Sequence, residues 1–173
     1  MIKLYLDMDG VVANFHKAYR VYDPEFDRKK FRQAVMEYKI FEDLEPMPNA
    51  MGLLSFVENL DVDIEMLTSM GTFDAVQGAE AKRQKLVWLA KHGITYPANF
   101  VRTKSEKAKY ATPFSILIDD SIGCITPFNE ARGHGILYDD ASQRESLLQL
   151  SSIINSLYAL NALRTGYGQS VQG

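Results

Sequence analysis

Residues 2–12 read IKLYLDMDGVV, an apolar run that ends in two aspartates separated by one residue and followed by a glycine. We expect Ile2 to Leu6 to form a β-strand. Side chains two positions apart on a strand point to the same face, so Asp7 and Asp9 lie together and repel each other unless a cation compensates them. This pair of carboxylates therefore indicates a site for a hard cation with oxygen ligands, and Mg²⁺ is the expected ion.

Composition narrows the classes of protein to which the chain can belong. Its 173 residues suit one domain of ordinary size, and the hydrophobic share of 46% suffices for a packed core. A net charge of -3 makes long nucleic acid an unexpected partner. The single cysteine, Cys124, cannot form an internal disulfide, which fits a reducing cytoplasm. We expect no membrane span and no signal peptide, and hence a cytoplasmic protein whose oligomeric state stays open.

Short apolar segments alternate with helix-like segments along the chain. The expected strands are Lys3–Leu6, Asp63–Leu67, Asn99–Val101, Ser115–Ile118 and Gly135–Tyr138. The expected helices are Ala50–Asn59, Val76–His92, Ser105–Ala111, Gly123–Ala131 and Ser142–Arg164. This alternation predicts an α/β fold, a Rossmann-like doubly wound parallel sheet with helices on both faces.

A long insertion separates the first two strands, and we expect it to form a small helical cap at residues 14–48. Five of its apolar residues fall on one helical face: Phe31, Ala34, Val35, Tyr38 and Phe41. Pro46 and Pro48 mark its return to the sheet. The catalytic core then comprises residues 1–13 and 49–164, and the polar, glycine-rich residues 165–173 are expected to form a mobile tail.

Polar residues follow four of the expected strands, at the sheet edge where open α/β folds bind ligands. They are Asp7 and Asp9, Thr68 and Ser69, the lysines Lys104, Lys107 and Lys109, and Asp119 with Asp120. A carboxylate can attack phosphorus, and a second carboxylate can protonate the leaving oxygen and later activate water. A lysine and hydroxyl groups can hold phosphate oxygens, while a metal neutralises the repulsion between carboxylate and phosphate. The set therefore predicts phosphate-monoester hydrolysis.

In their order along the chain, these motifs resemble the haloacid dehalogenase superfamily of phosphatases. Further segments are similar to the 5'(3')-deoxyribonucleotidase family. The matching segments are Asp7–Phe15, Phe41–Pro48, Leu67–Ser69, Lys85–Trp88 and Leu117–Asp120. The resemblance spans residues 2–120. The superfamily is indicated by the four catalytic motifs, and the nucleotidase family by the cap return and the Lys-x-x-Trp sequence.

The resemblance implies a role for each motif. Asp7 is the nucleophile, and Asp9 is the general acid and base. The phosphate is bound by Thr68 and Ser69, with Lys107 clamping both phosphate and nucleophile. Lys104 and Lys109 remain alternatives to Lys107.

The resemblance also implies a metal site and a substrate pocket. Asp119, with Asp120 beside it, completes the Mg²⁺ site together with Asp7 and the backbone carbonyl of Asp9. The resemblance has Lys85 reach the substrate phosphate, although a solvated lysine is an equally good interpretation. Phe15 and the cap aromatics, Phe41 above all, face the base and sugar of a nucleotide.

Two local patterns give further expectations. The residues Leu86, Val87, Leu89 and Ala90 form a stripe that we expect to face the core, which places Trp88 on the opposite side of its helix. Thr103 and Glu106 have the spacing of a capping box and predict a helix start.

The expected substrate is a small phosphomonoester, with nucleoside monophosphates the best class. Two alternatives remain at this point. One is a phosphatase for another substrate, such as a sugar phosphate or a nucleic-acid end. The other is a non-catalytic phospho-switch, which uses similar residues around Mg²⁺ but in a different strand order.

Overall fold

The computed structural model describes residues 1–25 and 27–167 and contains one five-stranded parallel sheet. The strands are β1 (Lys3–Leu6), β2 (Asp63–Ser69), β3 (Ala98–Val101), β4 (Ser115–Asp119) and β5 (His134–Leu137). Their spatial order is β3-β2-β1-β4-β5, with β1 at the centre. This is the doubly wound, Rossmann-like sheet that the sequence predicted, and its order reverses beside β1, where such folds place a binding crevice.

Helices cover both faces of this sheet. The helices are α1 (Phe15–Tyr22), α2 (Arg28–Met36), α3 (Ala50–Glu58), α4 (Ala75–Lys91), α5 (Ile122–Glu130) and α6 (Gln143–Tyr167). One hydrophobic cluster joins alternate strand residues, such as Leu4 and Leu6, to α3, α4 and α6. The other joins Tyr5, Leu67 and Leu117 to α5. Successive strand residues thus supply opposite cores, because their side chains alternate between the faces.

The strand and helix boundaries differ from the predicted ones by only one or two residues in most places. A larger difference occurs after β3, where a 3₁₀ helix at Lys104–Tyr110 replaces the expected α-helix. The helix does begin after Thr103, as predicted, but the capping box is wrong, because Thr103 makes no side-chain capping bond to a described residue. Instead, Glu106 Oε2 accepts a hydrogen bond of 2.8 Å from the backbone N–H of Arg102.

The insertion contains two short helices, α1 and α2, and the single apolar face predicted for it is wrong. Helix α2 ends at Met36, and Lys39 has a φ of 52°, so the chain turns before Phe41. Tyr38 is consequently 61% exposed, whereas Phe41 is buried. The two ends of the insertion meet at the sheet, where Asn14 N–H donates to Glu45 O and Met47 N–H donates to Val12 O.

Helix α4 buries mainly a different face from the one predicted, because Leu89 alone of the predicted stripe is buried. Trp88 is 1% exposed and donates a 2.8 Å hydrogen bond to the carbonyl of Leu44, while Leu86 and Val87 are each 42% exposed. The prediction failed because two polar side chains, Gln84 and Lys85, occupy the buried face, so the apolar stripe does not mark it.

At the end of the chain, α6 continues to Tyr167 and so includes residues 165–167, which were expected to belong to the tail. Residues 168–173 of that tail lie outside the described residues. Within the described ranges, no helix is both long and apolar enough to cross a membrane.

Candidate active site

Asp7 and Asp119 lie side by side because β1 and β4 are paired neighbours. Leu6 is in register with Ile118, so the residues that follow them, Asp7 and Asp119, place their carboxylates at the same sheet edge. The ammonium group of Lys107 lies between them, 2.8 Å from Asp7 Oδ1 and 2.6 Å from Asp119 Oδ2. All three side chains are buried, which makes this a charge cluster rather than a surface ion pair.

Only one of the three candidate lysines contacts these carboxylates. Lys104 Nζ donates to Ser121 Oγ at 3.0 Å, and Lys109 Nζ donates to Glu106 Oε1 at 2.9 Å. Both are exposed, whereas Lys107 is 1% exposed. The structure thus places Lys107, and neither alternative, against the expected nucleophile.

Burial and mutual repulsion shift the pKa values in this cluster. Burial lowers the pKa of Lys107, but the charges of Asp7 and Asp119 outweigh it and raise that pKa above its usual range. Burial, reinforced by the charge of Asp7, raises the pKa of Asp119 to about 7. Burial also raises the pKa of Asp9, against the opposing effect of Lys85. A carboxyl group with a raised pKa can carry a proton at neutral pH and donate it.

Three carboxylates form a candidate metal centre. One oxygen from each of Asp7, Asp119 and Asp120 lies within 4.8 Å of the others. The oxygen-only donor set suits a hard divalent cation. Gly10 leaves room for this arrangement, since a Cβ built on it would lie 2.0 Å from Asp120 Oδ2. The residues therefore fit the expected ion, although the carboxylate of Asp9 is not part of the cluster.

Asp9 forms an ion pair with Lys85 of α4, which lies outside the cavity wall. Lys85 Nζ lies 2.5 Å from Asp9 Oδ2, and the other oxygen, Oδ1, is buried without a hydrogen-bond partner among the described residues. A buried polar atom without a partner is uncommon in native structures, and a bound water, ion or ligand can supply the partner. The side chain of Asp9 nevertheless keeps 21% of its surface exposed and lines the cavity described below.

The two hydroxyl residues after β2 are placed differently. Ser69 lines the cavity, and its Oγ accepts a hydrogen bond from the backbone N–H of Gly71 at 3.1 Å. Thr68 is fully buried, and its Oγ1 accepts a 2.8 Å hydrogen bond from Lys85. Neither Thr68 nor Lys85 lines the cavity, so the structure does not bring these two predicted phosphate ligands to its surface.

A cavity of about 500 Å³ opens above the carboxylates, and the cap supplies aromatic rings to its wall. Phe15 is stacked on Phe41 with ring centroids 5.2 Å apart, and Phe31 meets Phe15 edge-on at 6.3 Å. Phe41 is 1% exposed and has Lys85 Nζ 4.6 Å from its ring centroid. Phe15 is also stacked on Tyr19, with ring centroids 5.2 Å apart, so the half-buried Phe15 and Phe31 line the cavity as parts of one aromatic cluster.

Three basic residues of the cavity wall were not among the site residues predicted from the sequence. They are His16, Arg28 and Arg102. His16 Nε2 lies 3.2 Å from Asp120 Oδ2, and this hydrogen bond raises the pKa of the imidazole. His16 directly follows Phe15, so the aspartate motif could have drawn attention to it, whereas Arg28 and Arg102 carry no local signal.

Together these groups provide a candidate nucleophile, Asp7, beside the Lys107 ammonium group. They also provide a carboxyl group that can be protonated, Asp9, and a cluster of carboxylate oxygens that could bind a metal ion. They surround one cavity at the carboxyl ends of β1, β2 and β4. This arrangement can bind a dianionic group, stabilise its charge and exchange protons with it.

Comparisons with known proteins give distant structural matches. No family model matches the chain, and no curated protein does. A D,D-heptose 1,7-bisphosphate phosphatase from Burkholderia thailandensis is similar at 12% identity and a TM-score of 0.47, over 86% of this chain and 85% of that one. A hydrolase from Streptococcus pneumoniae is similar at 14% identity and a TM-score of 0.47, over 88% and 97% of the two chains. A haloacid dehalogenase-like hydrolase from the same organism is similar at 11% identity and a TM-score of 0.47, over 89% and 98%. At such values the function has to be argued from the residues of the site.

Proposed function

We propose that this protein is a Mg²⁺-dependent phosphomonoesterase of the haloacid dehalogenase type that hydrolyses nucleoside monophosphates through an aspartyl-phosphate. The observation that carries the proposal is the Lys107 ammonium group between Asp7 and Asp119, with Asp9 on the wall of the same cavity. A non-catalytic phospho-switch has no need of a second carboxyl group poised to donate and accept protons.

In the first half-reaction, a carboxylate oxygen of Asp7 forms a bond to phosphorus. Lys107 and the backbone N–H of Met8 both contact Asp7 Oδ1, which fixes the carboxylate for attack. As the ester P–O bond breaks, the carboxyl group of Asp9 gives its proton to the leaving oxygen. The raised pKa of Asp9 is consistent with this role.

In the second half-reaction, the ionised Asp9 takes a proton from water, and the water oxygen attacks the phosphorus of the aspartyl-phosphate. The bond between Asp7 and phosphorus breaks, which restores the carboxylate and releases inorganic phosphate. Lys107 stabilises negative charge during both steps. Mg²⁺ held by Asp7, Asp119 and Asp120 would neutralise the repulsion between these carboxylates and the phosphate dianion.

The substrate class is proposed from the shape and lining of the cavity. A volume of about 500 Å³ is in the range of small-molecule sites and fits a mononucleotide. Phe15 and Phe31 contribute aromatic rings to the wall beside which a base can lie, and Arg28 adds positive charge, whereas Arg102 is paired with Glu106. The resemblance of the cap return to 5'(3')-deoxyribonucleotidases points the same way, and such a role suits a cytoplasmic enzyme acting on a small partner rather than on long nucleic acid.

The test is phosphate release from ribo- and deoxyribonucleoside 5'- and 3'-monophosphates and from sugar phosphates, with Mg²⁺ and with EDTA. We expect turnover of nucleotides with Mg²⁺, and loss of turnover in EDTA and in Asp7→Asn, which lacks the nucleophile. Lys109→Met is the matched control, because this exposed lysine lies outside the cavity, and its activity should equal that of the wild type.

Each outcome separates the alternatives. Release from sugar phosphates alone would retain the mechanism and overturn the nucleotide assignment. A stable phosphoryl group on Asp7, with no release from any substrate, would overturn the enzyme assignment in favour of a switch.

A further inference from the structure

Lys85 has three protein acceptors within hydrogen-bond distance of its ammonium group. Lys85 Nζ lies 2.5 Å from Asp9 Oδ2, 2.8 Å from Thr68 Oγ1 and 2.9 Å from the carbonyl oxygen of Ser69. An ammonium group has three hydrogens, so these contacts use all of them. No donor remains for a phosphate oxygen.

We propose that Lys85 is a positioning residue, which acts on the reaction through Asp9 and does not bind the phosphate. It holds one oxygen of the Asp9 carboxyl group and so fixes the orientation in which that group meets the leaving oxygen. This inference rests on the proposed phosphatase mechanism and deepens it.

Burial supports this assignment. Lys85 is fully buried and is absent from the cavity wall, whereas Asp9 lines the cavity. The Phe41 ring covers Nζ on one side, with 4.6 Å between Nζ and the ring centroid. A ligand in the cavity therefore meets Asp9 and not the lysine behind it.

The helix that carries Lys85 is itself fixed to the base of the cap. Gln84 Nε2 donates to the carbonyl of Val35 at 2.7 Å, and Trp88 Nε1 donates to the carbonyl of Leu44 at 2.8 Å. These bonds flank Lys85 along α4 and restrict its movement. A proton donor has to be held within hydrogen-bond geometry to be efficient, and a rigid support of this kind supplies that geometry.

The experiment compares two substrates that differ in their need for a proton. A nucleoside monophosphate releases a basic alkoxide oxygen, whereas p-nitrophenyl phosphate releases a weakly basic oxygen that leaves unprotonated. The measured quantity is kcat/KM, because it reports the steps up to departure of the leaving group and omits the hydrolysis of the aspartyl-phosphate, which both substrates share.

We expect Lys85→Met to lower kcat/KM for the nucleotide about 100-fold, the lower end of what general acid catalysis contributes, and to lower it for p-nitrophenyl phosphate less than about 10-fold. Lys82→Met, an exposed lysine on the same helix, is the matched control and should leave both values unchanged. Equal losses on both substrates in Lys85→Met would show direct phosphate binding and overturn the inference.

Two further variants test the inference even if Lys85→Met does not fold. The double variant of Lys85→Met and Asp9→Asn removes both charges of the Lys85–Asp9 ion pair. Its kcat/KM for the nucleotide should be no lower than that of Asp9→Asn alone. Thr68→Val removes one acceptor of the ammonium group and should also affect the nucleotide more than p-nitrophenyl phosphate. An additional loss in the double variant, or equal losses in Thr68→Val, would contradict the inference.

If the wild type hydrolyses neither substrate, the proposed function fails rather than the role of Lys85.

Discussion

Gly10 shows how one residue determines whether the carboxylates of the candidate metal centre can come together. Its φ is 79°, a left-handed conformation that glycine adopts without strain. It also leaves space for Asp120, whose Oδ2 would lie 2.0 Å from a Cβ at this position. The glycine that ends the aspartate motif is therefore needed both for the turn and for the carboxylate beside it.

Gly10→Ala should weaken metal binding and destabilise the fold. The left-handed conformation costs a non-glycine residue about 1–2 kcal/mol, and the displaced Asp120 adds to the loss. The Mg²⁺ concentration for half-maximal activity should rise, as measured by titration of phosphate release, and the free energy of unfolding should fall in urea.

Gly93→Ala is the matched control. Gly93 has a φ of 69°, but no atom within 4 Å would meet its Cβ. This variant should lose similar backbone stability with an unchanged Mg²⁺ requirement. Equal Mg²⁺ curves for the two variants would contradict the role given to Gly10.

The sequence identified the residue types of the site better than their individual contacts. Asp7, Asp9 and Asp119 could be predicted, because each lies at or shortly after the end of a strand and parallel strands end at the same edge. Lys107 was preferred among the three nearby lysines, but Lys104 and Lys109 remained open, since the choice depends on how the 3₁₀ helix packs against α5. The sequence also could not place Lys85, whose three acceptors come from β2 and from the loop after β1.

At the scale of elements, α4 shows the limit of hydrophobic periodicity. Its buried face contains Gln84 and Lys85, which are satisfied by hydrogen bonds, and Trp88, whose indole N–H also has a partner. A buried face that carries polar contacts to the cap and site has no continuous apolar stripe, so periodicity selected the wrong side. The strands, whose buried positions are mostly apolar, were predicted within two residues.

Gln84→Leu should destabilise the protein by about 2–4 kcal/mol. The Gln84 side chain accepts from the backbone N–H of Phe41 and donates to the carbonyl of Val35, and an unpaired buried polar group costs about 1–3 kcal/mol. The measurement is the free energy of unfolding in urea.

Leu86→Gln, two residues further along α4, is the control. Since Leu86 is 42% exposed, this change should alter the free energy of unfolding by no more than about 0.5 kcal/mol. A larger loss in Leu86→Gln than in Gln84→Leu would mean that the helix buries the face that periodicity predicted.

At the scale of the whole molecule, the buried carboxyl groups link folding to pH. The ordinary pKa of the Asp119 carboxyl is 3.8, and in the folded protein it is about 7. The folded state therefore binds a proton more tightly than the unfolded state, and the stability gained from that proton is complete below pH 3.8 and lost as the pH rises through about 7. Asp9 contributes in the same direction.

In EDTA, the free energy of unfolding should thus fall as the pH rises from about 4 to about 7. The loss should reach a few kcal/mol, because each pKa unit corresponds to about 1.4 kcal/mol. Urea unfolding at a series of pH values measures it. Asp119→Asn should reduce the slope, and an unchanged slope in that variant would assign the pH dependence to other groups.

Mg²⁺ should reverse much of this loss at neutral pH, because the cation binds the ionised carboxylates of the folded state and stabilises that state by mass action. The stabilisation by Mg²⁺ should be larger at pH 8 than at pH 5. No difference between the two would argue against the three carboxylates as its ligands.

The insertion leaves and rejoins the sheet through a single narrow neck, where Asn14 pairs with Glu45 and Val12 with Met47. A segment attached in this way can be lengthened, shortened or exchanged over generations while the strands that carry Asp7 and Asp119 keep their register. Under the proposed function, reaction chemistry would be inherited with the sheet and substrate choice with the insertion. Grafting a foreign insertion at this neck is accordingly the natural route for redirecting the protein to new substrates.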